Sequence, residues 1–279
     1  MQIPDNFVPH EMWPEYRWVA NPPSICAREI VPGTPCGIRW SLWPFTFEEH
    51  IGDNEPDLST GGRLARPRMV SWKRVRRTDT PPGWRTAAYP WRVDAYHTLL
   101  PDYEKRWNKS SRRDLRLWRE NFLNKTHRIE QVSWQEYEAA YKKSLVVKRI
   151  GTDQLASLGR KCTGNGWQEH LQLVGVRNMQ SGEIVAGTAI HHSPTYKSSM
   201  REGPFILPEA RECFAMTGLM DYWFTLSLER GVTLQVFSYF AHAGTPKSWE
   251  GFSAFKRQFG VTEVAYPPVL YRFVWGKIF

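Results

Sequence analysis

Between Glu209 and Arg230 the chain reads as one long helix that is apolar nearly all round, with Phe214, Met216, Leu219, Met220, Trp223 and Leu226 pointing several ways. A helix of that kind must be covered on more than one side. Gly231 follows it and is suited to the left-handed turn that ends helices. Upstream, Leu171 to Arg177 and Glu183 to His191 read as two strands joined through Gln180-Ser181-Gly182. Downstream come a strand from Thr233 to Phe240, a loop from Ala241 to Trp249, a helix from Gly251 to Phe259 and strands through Phe279. Hairpin, buried helix, strand, short helix and closing strands fit a mixed α/β domain. In such folds ligands gather at strand ends, where neighbouring strands diverge.

Towards the N-terminus the pattern weakens. Trp91-Arg92-Val93-Asp94 reads as a strand end, followed by a helix from Leu100 to Asn121. Ser133 with Glu136 forms a capping-box pattern that starts a helix running to Leu145, and another helix is expected from Thr152 to Lys161. The first ninety or so residues are broken by Pro22-Pro23, Pro32, Pro35, Pro44, Pro81-Pro82 and Pro90 into short segments. Gly37 to Trp43 and Met69 to Val75 are the strand candidates there. The polar stretch Asn124-Lys125-Thr126 marks a domain boundary near residue 125.

Length and charge bound the function without choosing it. The 279 residues suffice for one large domain or two small ones, and a net charge of +9 suits anionic partners. Cys26, Cys36, Cys162 and Cys213 form no CxxC pair, so zinc and redox motifs are unsupported and no metal or tightly held cofactor is expected. Met1 to Pro14 has no signal-peptide pattern, and no apolar run approaches the roughly 18 residues that span a bilayer. The expectation is a cytoplasmic chain with free thiols. Nothing in the sequence bears on oligomeric state.

The densest candidate site is Gly244 to Gly260, where a loop after a buried strand leads into a helix carrying Lys256 and Arg257 among aromatics. Spacing alone favours an amphipathic helix with Phe252, Phe255 and Phe259 inward and Lys256 and Arg257 facing water. The substrate-binding candidates are Trp107, Arg112, Arg113, His191, Tyr239, Lys247, Trp249 and Arg257. Lys73, Arg74, Arg76 and Arg77 beside Trp72 form either a polyanion patch or a charged strand edge. Lys161-Cys162-Thr163-Gly164-Asn165-Gly166 reads as a helix C-cap in preference to a pyrophosphate loop.

Gly251, Phe255, Lys256, Phe259 and Gly260, after a helix, a glycine and a strand, resemble the C-terminal signature of the Fem-type acyltransferases. These are grouped with GNAT-like (N-acetyltransferase-like) proteins. The resemblance spans roughly residues 91 to 275 and includes Trp91-Arg92-Val93-Asp94 and Trp107-x-x-Ser110-x-Arg112-Arg113. It implies an α/β fold, a GNAT-like mixed sheet with flanking helices in two joined lobes, the first reduced. The expected divisions are 1–125 for that lobe, 126–261 for the acyltransferase lobe and 262–279 for strands returning to the first. It also implies transfer of an aminoacyl group from aminoacyl-tRNA to an amine of a peptidoglycan precursor, a nucleotide-linked peptide or related acceptor. Lys256 would neutralise charge at the donor carbonyl and Phe255 would shape the pocket. Asp94 is a carboxylate for removing the acceptor's proton, or a turn residue. The first lobe is shorter than the family's, and no long helical arm for tRNA is visible. An acyl-CoA-dependent N-acyltransferase, or a non-catalytic basic RNA-binding protein, are the rival readings.

Overall fold

The computed structural model describes residues 3–16, 29–30, 37–42, 45–58, 67–146, 153–163 and 167–275. Cys26, Cys36, Pro22, Pro23, Pro32, Pro35, Pro44 and Gly164 to Gly166 lie outside them. Two mixed sheets carry the chain. The first runs β1 (Glu29–Ile30), β2 (Gly37–Leu42), β3 (Phe45–Ile51), β4 (Arg68–Lys73), β13 (Pro268–Val274) and β5 (Arg85–Pro90), in that spatial order. The second runs β12 (Thr262–Ala265), β6 (Val93–Thr98), β11 (Leu234–Phe237), β10 (Ser198–Ile206), β9 (Ile184–Ser193), β8 (Leu171–Asn178) and β7 (His127–Gln131). Among the described residues the helices of eight residues or more are α1 (Lys109–Asn121), α2 (Trp134–Lys143), α3 (Asp153–Thr163), α4 (Ala215–Glu229) and α5 (Glu250–Arg257).

The change from one sheet to the other falls at 91–92, well before the boundary expected near 125. Strand β6 is inserted between β12 and β11 of the second sheet, and Val93 to His97 are all buried there. Helix α1 belongs with it, because Leu115 and Trp118 face the same core as α4. The polar stretch Asn124 to Thr126 is only the tight turn between α1 and β7.

Helix α4 is covered on two sides. Trp223 Nε1 donates to Ser199 Oγ of β10 at 2.7 Å, and Arg119 of α1 reaches Asp221 at 2.6 Å. The helix starts at Ala215, later than expected, because Phe214 adopts φ +60° and breaks the regular turn from Glu209. Similarly, Asn108 caps α1 by accepting from the Ser111 N–H at 2.8 Å, so the expected helix from Leu100 resolves into a 3-10 turn at Tyr103–Arg106 and α1. The capping box at Ser133 and Glu136 forms as the spacing predicts.

Strand β10 went unpredicted. Its Ser198, Ser199 and Glu202 look like surface residues in sequence, but the first two are fully buried and all three have tertiary partners, Asn6, Trp223 and Lys161. Strands β3, β5 and β7 were also not legible. A third cluster joins the two sheets: Phe7, Val8 and Trp13 of the N-terminal segment pack with Ile51 and Val75 on one side and Tyr96, Met200, Leu234 and Val236 on the other.

A Cβ on Gly218 of α4 would lie 2.4 Å from the Trp118 ring, so only glycine lets α1 approach this closely. Gly218→Ala should lower stability by about 1–3 kcal/mol through overpacking. Urea unfolding measures this, and a loss within error of zero would mean that α1 shifts freely on α4.

Candidate active site

Strands β10 and β11 are the parallel pair of the second sheet, and they pair only from Ser198–Leu234 to Met200–Val236. Beyond that point β10 continues against β9 alone, while β11 ends and the chain turns at Ser238 and Tyr239. Lys256 of α5 comes to this turn. Its Nζ donates to Ser238 O at 2.5 Å and Tyr239 O at 3.1 Å, with the Phe252 ring 4.6 Å away. An ammonium has three N–H donors, so one remains beyond these two. Burial pushes the Lys256 pKa down to about 7, with Asp94 pulling it up and the Arg201 charge adding to the depression.

Tyr239 sits at φ +64°, a conformation rare for a large side chain. Asp94 of β6 holds it there: Oδ1 accepts the Tyr239 N–H at 2.8 Å. The other oxygen lies 2.9 Å from Arg92 Nε, with the N–H off the line of contact, so this is a charge pair more than a hydrogen bond. Burial pushes the Asp94 pKa up, while Arg92 and the Tyr239 N–H pull against it. Arg92 turns its other nitrogens to Glu11, at 2.6 and 3.1 Å, and lies against the rings of Trp91, Tyr239 and Tyr266. Glu11 is buried at a cost, but Arg92 outweighs that and holds its pKa at about 2.

Of these groups Glu11, Trp91, Arg92 and Tyr239 form one wall of a cleft of about 350 Å³ between the sheets, with Lys256 behind the Tyr239 turn. Lys73 and Tyr89 from the first sheet face Arg92, Tyr239, His242, Thr245 and Trp249 across it. Tyr89 and Tyr239 are 52% and 42% exposed, so two aromatic rings stand open at the mouth. Ser253 of α5 fixes the loop by accepting the Ala241 N–H and donating to Trp249 O, both at 2.8 Å.

Below the cleft lies a second polar group. Glu202 Oε2 receives Lys161 Nζ at 2.5 Å and lies 2.8 Å from His191 Nε2, and Lys161 also donates to the Tyr16 hydroxyl at 2.7 Å. Burial keeps His191 below its ordinary pKa against the pull of Glu202. His10, stacked edge-on to Tyr16, bonds Ser238 Oγ at 3.2 Å and so connects this group to the turn that Lys256 touches.

The structure brings together Lys256, Asp94, Tyr239 and Trp249. It does not leave Asp94 open to substrate: the side chain is 0% exposed and both oxygens are engaged, which corrects the direct base role in favour of holding the Tyr239 turn. Trp107 is also buried, wedged edge-on against Phe224 and Phe259, so it is a core residue and no ligand contact. His191 is held by Glu202 inside the protein. Phe255 packs on Phe259, Arg257 pairs with Glu263 at 2.5 Å, and Lys247 is exposed on the loop. Arg112 and Arg113 are exposed on α1 and do not line the cleft. Glu11, Tyr89 and His242 were missed, because nothing in the local pattern links a segment near residue 11 to a strand near residue 92. Among the described residues no group of three or more His, Cys, Asp or Glu is placed to hold a metal ion, and no helix is long and apolar enough to cross a membrane.

The fold is a mixed α/β arrangement that is also found in solved structures. It is shared with FemX, at a TM-score of 0.67 and 9% identity over 85% of this chain and 84% of that one. A C-terminal domain assigned to a lysylphosphatidylglycerol synthetase of Agrobacterium fabrum matches at 0.53, with 12% identity over 88% and 83% of the two chains. L-PGS from Bacillus licheniformis matches at 0.52, with 15% identity over 85% and 80%. At such identities the likeness establishes the fold. No family model and no curated protein matches the sequence.

Two measurements probe this site. Arg92→Met strands two carboxylates and should cost about 3–5 kcal/mol of stability; a smaller loss would mean that water reaches them. The unfolded chain keeps Lys256 protonated up to the ordinary value of 10.5, whereas the folded chain releases the proton near 7. Between those values the unfolded state binds more protons, so stability rises with pH. Urea unfolding across that window should show a shallower rise in Lys256→Met than in the parent, and parallel curves would place the pKa of Lys256 elsewhere.

Proposed function

We propose that this chain is an acyltransferase that moves an aminoacyl group from aminoacyl-tRNA to an amine of a cell-wall peptide precursor, in the cleft between the sheets. The observation that carries the reading is Lys256. It is a partly buried lysine with a spare N–H, poised near neutral pKa at the point where two parallel strands part and beside an aromatic-walled cleft. The fold shared with FemX supports the reaction class, and the charge of +9 suits a polyanionic donor.

In the reaction the acceptor nitrogen attacks the ester carbonyl, and a C–N bond forms as the carbonyl oxygen gains negative charge. The C–O ester bond then breaks, and the ribose hydroxyl leaves with a proton while the amine gives one up. Protonated Lys256 would meet the developing oxyanion with the N–H that Ser238 and Tyr239 leave free. Arg92, Asp94 and Tyr239 act as positioning residues, keeping the turn and the ring that borders the carbonyl in place. The exposed faces of Tyr89 and Tyr239 suit a planar group of donor or acceptor.

The test is to incubate the protein with labelled alanyl-, seryl- and glycyl-tRNA and a nucleotide-linked muramyl pentapeptide, with phosphatidylglycerol as a second acceptor and acetyl-CoA as a parallel donor. Mass spectrometry reads the products. An aminoacylated peptide is expected, and Lys256→Met should reduce its rate by about 10²-fold or more without unfolding the chain. An acetylated product would move the enzyme to the acyl-CoA class, an aminoacyl lipid would replace the acceptor, and undiminished turnover in the variant would remove Lys256 from the mechanism.

A further inference from the structure

Helix α1 has two faces. Ser111, Leu115 and Trp118 are buried against α4 and the second sheet, while Lys109, Arg112, Arg113 and Arg116 are exposed on the other side. The spacing i, i+3, i+4 and i+7 gathers these four cations on one stripe. From Lys109 to Arg116 it extends about 10 Å along the axis.

Fold stability does not account for this arrangement. The first turn of a helix favours acidic side chains, because the unpaired N–H groups there carry partial positive charge. The first turn of α1 has no acidic residue and begins with Lys109. Arg113 reaches Asp114 at 2.9 Å, but among the described residues Lys109, Arg112 and Arg116 have no carboxylate within ion-pair distance. Arg119 shows the contrast, since it is tied to Glu104 and Asp221 at 2.8 and 2.6 Å. Cations stacked on the positive end of a helix, left unneutralised from within, concentrate potential for an outside polyanion.

The stripe is also fixed relative to Lys256. The Asn108 N–H donates to Gln258 O at 2.8 Å, and Ser111 Oγ donates to Gln258 Oε1 at 2.9 Å. Gly260, at φ +67°, passes the Arg106 carbonyl so closely that a Cβ would sit 2.4 Å from that oxygen. The start of α1 is therefore locked to the end of the helix that bears Lys256.

We infer that this face of α1 docks the phosphodiester backbone of an RNA, and, given the function proposed above, that the RNA is the body of the aminoacyl donor. An anionic membrane would also meet the charge, but a helix that lies in a bilayer surface needs an exposed apolar flank. On α1 Leu115 and Trp118 are buried in the core shared with α4, a single half-buried Leu117 makes no such flank, and the other exposed residues of the helix are Ser110, Arg119, Glu120 and Asn121.

The test is fluorescence anisotropy with the full chain and an uncharged tRNA over a range of KCl concentrations. Lys109→Ala/Arg116→Ala should weaken binding by about tenfold and lower the slope of log K against log salt by about two, one for each lost phosphate contact. Arg85→Ala/Lys142→Ala, which removes two exposed cations elsewhere, serves as the reference for general charge loss. Equal losses in the two double variants, or none in the α1 pair, would overturn the inference. So would tighter α1-dependent binding to phosphatidylglycerol vesicles than to RNA. Because the RNA carries no amino acid, failure of the transfer reaction bears on the proposed function and leaves this result standing. Where transfer occurs, the ratio of KM for aminoacyl-tRNA to KM for an aminoacyl nucleoside should rise about tenfold in the α1 variant with kcat for the long donor maintained. A ratio equal to the parent's would again count against docking on α1.

Discussion

Arg92 is the residue around which the cleft is built. Its guanidinium bridges Glu11 from the N-terminal segment and Asp94 from β6, and three aromatic rings cover it. Taking three charges out of water is costly, and a planar cation with several donors is the side chain best suited to repay that cost on two carboxylates at once. The arrangement has a consequence for the backbone. With one oxygen of Asp94 beside Arg92, the other accepts the Tyr239 N–H and holds a large residue in the left-handed region. The carbonyls that receive Lys256 come from that same turn. Charge pairing, backbone strain and the placement of Lys256 thus form one chain of dependence.

The N-terminal segment closes the structure from the far end of the sequence. Phe7, Val8 and Trp13 fill the space between the sheets, Glu11 completes the pair with Arg92, and Tyr16 receives Lys161. Apolar burial supplies the drive, and the polar contacts fix the register in which the segment lies. Glu202, Lys161 and His191 satisfy one another beneath it, so the interior between the two sheets carries charge without leaving those groups alone.

Lys256 shows how such an interior tunes chemistry. Desolvation and the nearby Arg201 work against its charge, and Asp94 only partly offsets them. The result is a lysine that changes protonation near neutral pH, where an exposed one would stay charged. Its neighbours in the motif have other duties. Phe255 and Phe259 build the core, Gly260 permits close approach to Arg106, and Arg257 closes a surface pair with Glu263. The motif is therefore mostly a packing device with one chemically available group.

Local order was written in the sequence wherever it depended on neighbours a few residues apart. The capping box at Ser133, the hairpin of β8 and β9, and the amphipathic α5 all follow from short-range pattern, and the mixed α/β fold followed from the order of the elements. What only the tertiary structure decided rests on contacts between distant segments. Polar β10 became an interior strand because Trp223, His191 and Lys161 satisfy its side chains, and Trp107 went into the core because α5 packs on it. Asp94 became a brace because Arg92 and Tyr239 close on both its oxygens. The sequence by itself determined the longer helices and the β8–β9 hairpin, and which lysine follows the last strand-to-helix turn. The pairing of Glu11 with Arg92 and the cleft between the sheets depend on chain closure over some eighty residues, for which local propensity carries no signal.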